Sequence, residues 1–128
     1  MNALVREWIA KAEGDFICVR RECRARKNPV YDAACFHAQQ CAEKYLKACL
    51  QEYRIPFDKT HKLLHLLALL EAKAPMLVSL KEQLQLLDAY SVSFRYPGAS
   101  ADREIALTAQ KYCQRVRAAC RIQLHMPN

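Results

Sequence analysis

The sequence predicts an all-α chain: an antiparallel up-and-down four-helix bundle with one additional short helix, forming a single domain over residues 1–128. Three observations carry this expectation. Only two glycines and five prolines interrupt the 128 residues. The prolines fall between apolar patterns rather than inside them, and those patterns recur about every 3.6 residues, the helical repeat. The length is that of an ordinary domain, and no Gly/Ser-rich linker divides it.

The first pattern runs from about Ala3 to Lys27, with Leu4, Trp8, Ala12, Asp15 and Val19 on one stripe and Val5, Ile9, Phe16 and Cys23 widening it. Asn28-Pro29 stops it, because proline pushes the residue before it out of helical geometry. The second pattern, about Val30 to Tyr53, turns Cys35, Ala38, Ala42, Tyr45 and Cys49 inward beside Leu46. Small residues dominate this stripe, so a neighbouring helix can approach closely. Thr60 is the expected N-cap of a short helix, THKLLHLLALLEA, that ends near Pro75. The fourth pattern places Leu77, Leu80, Leu84, Leu87, Tyr90 and Phe94 inward and runs to Arg95-Tyr96, where Pro97-Gly98 cut it off. The fifth starts after Ser100, its expected cap, with Ile105, Ala109, Tyr112, Val116 and Cys120 inward. Short connections between such helices favour antiparallel neighbours.

The seven cysteines include no C-x-x-C pair, and an odd number cannot close fully into disulfides within the chain. They read as small apolar core residues, and the spacing argues against structural zinc. No signal peptide precedes the first pattern, and no apolar run approaches the roughly 20 residues that cross a bilayer. The expected setting is therefore reduced and cytoplasmic, without membrane contact. Twenty Lys+Arg against 13 Asp+Glu give a net charge of +7. That permits an anionic partner without requiring one. The densest basic run, Arg20 to Lys27, suits either the negative end of a helix dipole or a phosphate track.

Four places could carry chemistry. Asp15 occupies the apolar face of the first helix and needs a donor, for which His37, His61, Lys44 and Arg95 are candidates. His37, Gln40, Lys44 and Lys47 share a face of the second helix, and two ammonium groups one turn apart either stay in water or share an anion. His61 and His65 are four residues apart, yet no glutamate follows His61 as H-E-x-x-H zinc sites require, so no metal is expected. Placed just inside the Thr60 cap, His61 would sit beside free amides that favour anions. Arg95 closes the fourth helix beside Tyr96, where a rigid Pro-Gly exit aims the guanidinium and the phenol; a bare dipole contact would not need that abrupt stop.

Trp8, Ala12 and Asp15, then CFHAQQCAEKYLKACL from Cys35, THKL from Thr60 and RYPG from Arg95 together resemble the HEPN domains (higher eukaryotes and prokaryotes nucleotide-binding) over nearly the whole chain. The resemblance implies a helical bundle that pairs as a homodimer, often encoded beside a minimal nucleotidyltransferase in prokaryotic toxin-antitoxin systems. Many members are metal-independent ribonucleases whose signature is an arginine followed after four to six residues by a histidine. Here Ser100, Ala101 and Asp102 occupy the positions where that histidine would follow Arg95. Arg54 to His61 fits the spacing formally, but it spans Ile55-Pro56-Phe57 in a different loop and reads as coincidence.

The expected function is thus binding of nucleotide or RNA phosphate through Arg95, Tyr96, Gln40, Lys44 and Lys47, with Asp15 and His37 supporting the site and no cofactor. One alternative is a ribonuclease in which His61 replaces the absent histidine as partner to Arg95. The other is an interaction module whose charges are solvated surface.

Overall fold

A computed structural model describes all 128 residues. It is all-helical: α1 (Ala3–Arg24), α2 (Tyr31–Glu52), α3 (Leu63–Leu70), a 3-10 segment (Pro75–Leu80), α4 (Lys81–Ser93) and α5 (Arg103–Gln123). Side-chain contacts give the directions. Asp15 of α1 meets His37 and Lys44, and the Met1 amino group lies near Glu52, so α1 and α2 are antiparallel. Asp32 reaches Ala101 at one end while Tyr53 reaches Gln123 at the other, so α2 and α5 are parallel. These are the directions of an up-and-down bundle, with the short α3 as the additional helix.

The bundle is flattened. α2 touches α1, α3, α4 and α5, whereas α1 and α4 do not touch each other. The small residues explain this: Cys35, Ala38, Ala42 and Cys49 of α2 and Ala106, Ala109, Cys113 and Cys120 of α5 are all buried. Without bulk between them, the two parallel helices close the centre and hold the outer pair apart. Thirty-one buried apolar residues form one continuous core. Six of the cysteines belong to it, all seven are free, and burial pushes the Cys35 thiol up to about 12. No helix is long and apolar enough to cross a membrane.

The element ends depart from the sequence expectations in instructive ways. α1 stops at Arg24 because Asn28 takes a left-handed conformation (φ 50°) and the Glu22 carboxylate accepts the Val30 N–H at 3.1 Å. Leu4 lies outside the core at 47 % exposure, and the buried stripe runs through Val5, Ile9, Ala12, Phe16 and Val19. Leu77 and Leu80 are buried as expected, but in a 3-10 segment opened by Pro75, where residues three apart eclipse one another. Asp102 rather than Ser100 caps α5, accepting the Ile105 N–H at 2.8 Å.

One carboxylate ties α1 to α5. Glu13 accepts two bonds from Arg117, each 2.7 Å, and one from the Tyr45 hydroxyl at 2.8 Å. The Arg117 hydrogen bond holds its carboxyl below the ordinary 4.5. A lowered folded-state pKa stabilises the fold above the unfolded value, and that contribution disappears as pH falls through the folded one. Glu13→Gln should therefore cost about 1 kcal/mol at neutral pH. In urea titrations across pH, the gap between wild type and variant should close below about pH 4.

Candidate functional site

The cleft that brings Arg95, His61 and Gln40 together lies between α2, the start of α3 and the end of α4, with a volume of about 570 Å3. Its floor is a polar knot around Gln39, which is 3 % exposed. The Gln39 amide donates to the His61 carbonyl at 2.8 Å and to Asp88 Oδ1 at 3.1 Å, while its own oxygen accepts from Gln40 at 2.9 Å. Asp88 Oδ2 accepts the Leu63 N–H at 2.9 Å. A side chain of α4 thus does for α3 what a local N-cap normally does. Thr60, the expected cap, instead accepts the Lys62 N–H at 3.2 Å in the preceding turn. Burial pushes the Asp88 carboxyl up, opposed by the Gln39 and Leu63 hydrogen bonds.

Cationic and imidazole groups surround this knot. Arg95, His61, Lys62 and His65 all line the cleft. The Arg95 guanidinium stands over the Phe36 ring, 5.9 Å from its centroid, and belongs to none of the chain's ion pairs. Stacking on an aromatic face orients a guanidinium while leaving its N–H groups free. His61 is 77 % exposed at the side chain, with Nδ1 3.1 Å from Glu43 Oε1. A carboxylate only accepts, so Nδ1 carries a hydrogen and Nε2 is the nitrogen left for a ligand.

The lysines of α2 do not share an anion, contrary to one sequence expectation. Lys44 bonds Asp15, which also takes His37 Nδ1 at 2.7 Å. Lys47 is buried, 3.1 Å from Glu43 and within 5.5 Å and 5.9 Å of the Trp8 and Phe57 ring centroids. Each ammonium therefore has its own buried carboxylate, and neither lines the cleft. Asp15 finds two of its four candidate donors. Through His37, whose ring edge meets Phe36 at 5.3 Å, it braces the ring that carries Arg95.

The RYPG stretch is a turn rather than the last turn of a helix. α4 ends at Ser93, and the Arg95 N–H reaches back to the Val92 carbonyl at 3.4 Å. Gly98 has φ +116°, which L side chains rarely adopt, so the chain can reverse there only with glycine. On the far side the Ala101 N–H is held by Asp32 at 2.7 Å. Tyr96 projects from this turn at 66 % exposure, outside the cleft.

The HEPN domain model matches residues 5–123. The chain belongs to the HEPN family. Among solved structures it is similar to TT1696 from Thermus thermophilus, with TM-score 0.79 and 25 % identity over 93 % of this chain and 97 % of that one. It is also similar to ST0689, an archaeal HEPN homologue, with TM-score 0.69 and 25 % identity over 94 % and 97 %. No curated protein matches the sequence. Of the residues singled out in this HEPN chain, Arg95, His61, His65 and Gln40 meet at one cleft. Gln39, Asp88 and Phe36 were missed, although the 35, 39, 43 spacing on α2 placed Gln39 on a buried face where a polar side chain must be bonded.

Removing one member of a buried ion pair strands the other. Lys47→Ala should therefore cost about 3 kcal/mol in urea denaturation. Lys62→Ala, at an exposed position, should stay within about 0.5 kcal/mol of wild type.

Proposed function

We propose that this HEPN protein binds the phosphate of a nucleotide or of RNA in the cleft between α2, α3 and α4, as a homodimer working with a minimal nucleotidyltransferase. The observation that supports this reading is the approach of Arg95, His61, Lys62 and His65 to one concave surface. Its one carboxylate, Asp88, is occupied by Gln39 and Leu63. An anion entering there meets an unpaired, ring-stacked guanidinium and, when the His61 ring carries both protons, its Nε2–H, with the Gln40 side chain at the wall. The volume suits a small ligand. Tyr96, projecting from the same turn as Arg95, is available to stack on a base. Lys44 and Lys47 act indirectly, by holding Asp15 and Glu43, rather than as phosphate ligands.

A ribonuclease is the second reading, favoured by one specific observation: His61, which the sequence leaves in a different loop from Arg95, lines the same cleft. Its contact with Glu43 fixes the ring in the manner of an oriented general base, and Arg95 would stabilise charge on the phosphate. Arginine alone is a poor proton shuttle, since its pKa exceeds about 12.

Thermal unfolding separates these readings. ATP at about 100 times its dissociation constant should stabilise the wild type by about 2.7 kcal/mol, and Arg95→Ala should abolish the shift. An unchanged melting curve for the wild type would leave only a scaffold. Cleavage of RNA in EDTA that disappears in both Arg95→Ala and His61→Ala would establish the enzyme. Sedimentation of the wild-type chain as a monomer at micromolar concentration would remove the homodimer.

A further inference from the structure

His61 differs from the other groups that line the Arg95 cleft in being held at both ends. Its carbonyl accepts from the Gln39 amide at 2.8 Å, and its ring Nδ1 lies 3.1 Å from Glu43 Oε1 and 3.3 Å from Oε2. The ring is largely exposed while the carboxylate behind it is buried, so one edge is fixed by the protein and the other faces solvent and the cleft.

A ring fixed in this way has a fixed order of protonation. The carboxylate only accepts, so the first hydrogen belongs on Nδ1, and Nε2 of the neutral ring carries a lone pair. A phosphate oxygen is also an acceptor and gains nothing from that lone pair. A second proton turns Nε2 into a charged donor, which pairs strongly with an anion. Whatever favours the anion then favours the proton by the same amount, since linkage is reciprocal.

The neighbouring groups leave room for that second charge without holding it in place. From α2, Glu43 faces the ring but divides its charge with Lys47, 3.1 Å away. From α4 come the Arg95 guanidinium and the Asp88 carboxyl, which burial pushes up and which Gln39 and the Leu63 amide occupy. Lys62 follows in the chain, and His65 on α3 turns its own Nε2 to the exposed Asp58 at 3.7 Å. An anion in the cleft supplies the counter-charge that these groups do not.

We propose that the cleft takes up a phosphate anion and a proton together, with His61 Nε2 as the site of the proton. The inference rests on the phosphate-binding reading above and adds its regulation by pH. Affinity is greatest below the range in which histidine ordinarily titrates and falls as pH rises through it. Arginine and lysine keep their charge across that range, so binding weakens without vanishing. The coupling also separates binding from catalysis: a ring that gains a proton as the anion enters is a phosphate ligand, not the base that RNA cleavage requires.

The test is NMR of the four histidine rings in the full wild-type chain, followed from about pH 5.5 to about pH 8.5 with and without saturating ATP. Expected for His61 are an Nδ1–H tautomer at the alkaline end and, with ATP, a titration midpoint raised by about one pH unit, equivalent to about tenfold tighter binding to the charged ring. His125, exposed and outside the cleft, is the control in the same spectra, and its midpoint should stay in place. Arg95→Ala should keep the His61 tautomer and cancel the ATP-dependent shift. A His61 midpoint that ATP leaves unmoved, while the Phe36 and Arg95 amides report binding, would overturn the proposal and leave the phosphate reading standing. So would an Nε2–H tautomer of His61, or a His125 shift as large as that of His61, which would reduce the effect to overall charge. Failure of ATP to bind the wild type at any pH would remove both.

Discussion

The rest of the structure depends on the enclosure of α2. Surrounded by α1, α3, α4 and α5, this helix has little access to water, so each polar side chain on its buried faces must find a partner inside the protein. An unpaired buried polar group costs about 1–3 kcal/mol and a lone charge more. Gln39, Glu43 and Lys47 are all buried polar or charged residues of α2, and each is bonded. The partners of Gln39 and Glu43 beyond α2 itself come from α4 and from the turn that opens α3. Satisfying α2 and positioning the cleft are therefore the same set of bonds.

That coupling explains why the cleft is cationic. Three carboxylates near it are drawn inward, Glu43 by Lys47, Asp15 by Lys44 and His37, and Asp88 by Gln39 and the Leu63 amide, while the exposed Asp58 meets only His65, at 3.7 Å. Arg95 lies beyond the last turn of α4, outside all of these pairings, and leans on an aromatic ring instead of an acid. A guanidinium without a counter-ion, held in orientation, is what an incoming phosphate can use. The RYPG stop is intelligible in the same terms, since the left-handed Gly98 and the Asp32 anchor of Ala101 define how the chain leaves the bundle's end.

Much of this was legible in the residues. Helical repeats and proline positions disclosed the helices, because burying one face of a helix imposes its period whatever the tertiary context. The Asp15 prediction succeeded for a similar reason: a carboxylate on an apolar stripe demands a donor, and His37 and Lys44 answer it. The lysines were legible in part: Glu43, one turn before Lys47 on the same helix, is visible in the spacing, whereas Asp15, which meets Lys44 from α1, is set by packing that spacing along α2 does not show. Caps were misplaced for a related reason. Thr60 and Ser100 are plausible local caps, but α3 is capped from α4, a contact between residues 25 positions apart that no local pattern reveals. Convergence of His61 with Arg95 was conditional on the fold, and α3 packing against α4 supplied it.

The central claim is that the bonds of Gln39 hold the cleft between α2, α3 and α4 in shape. Backbone amide NMR of the wild type and of Gln39→Leu, each titrated with ATP, tests it most directly. The account predicts ATP-dependent shifts at Phe36, Gln40, His61 and Arg95 in the wild type, and their loss in Gln39→Leu while α1 and α5 signals stay in place. Shifts that persist in Gln39→Leu, or that map away from these residues in the wild type, would contradict it.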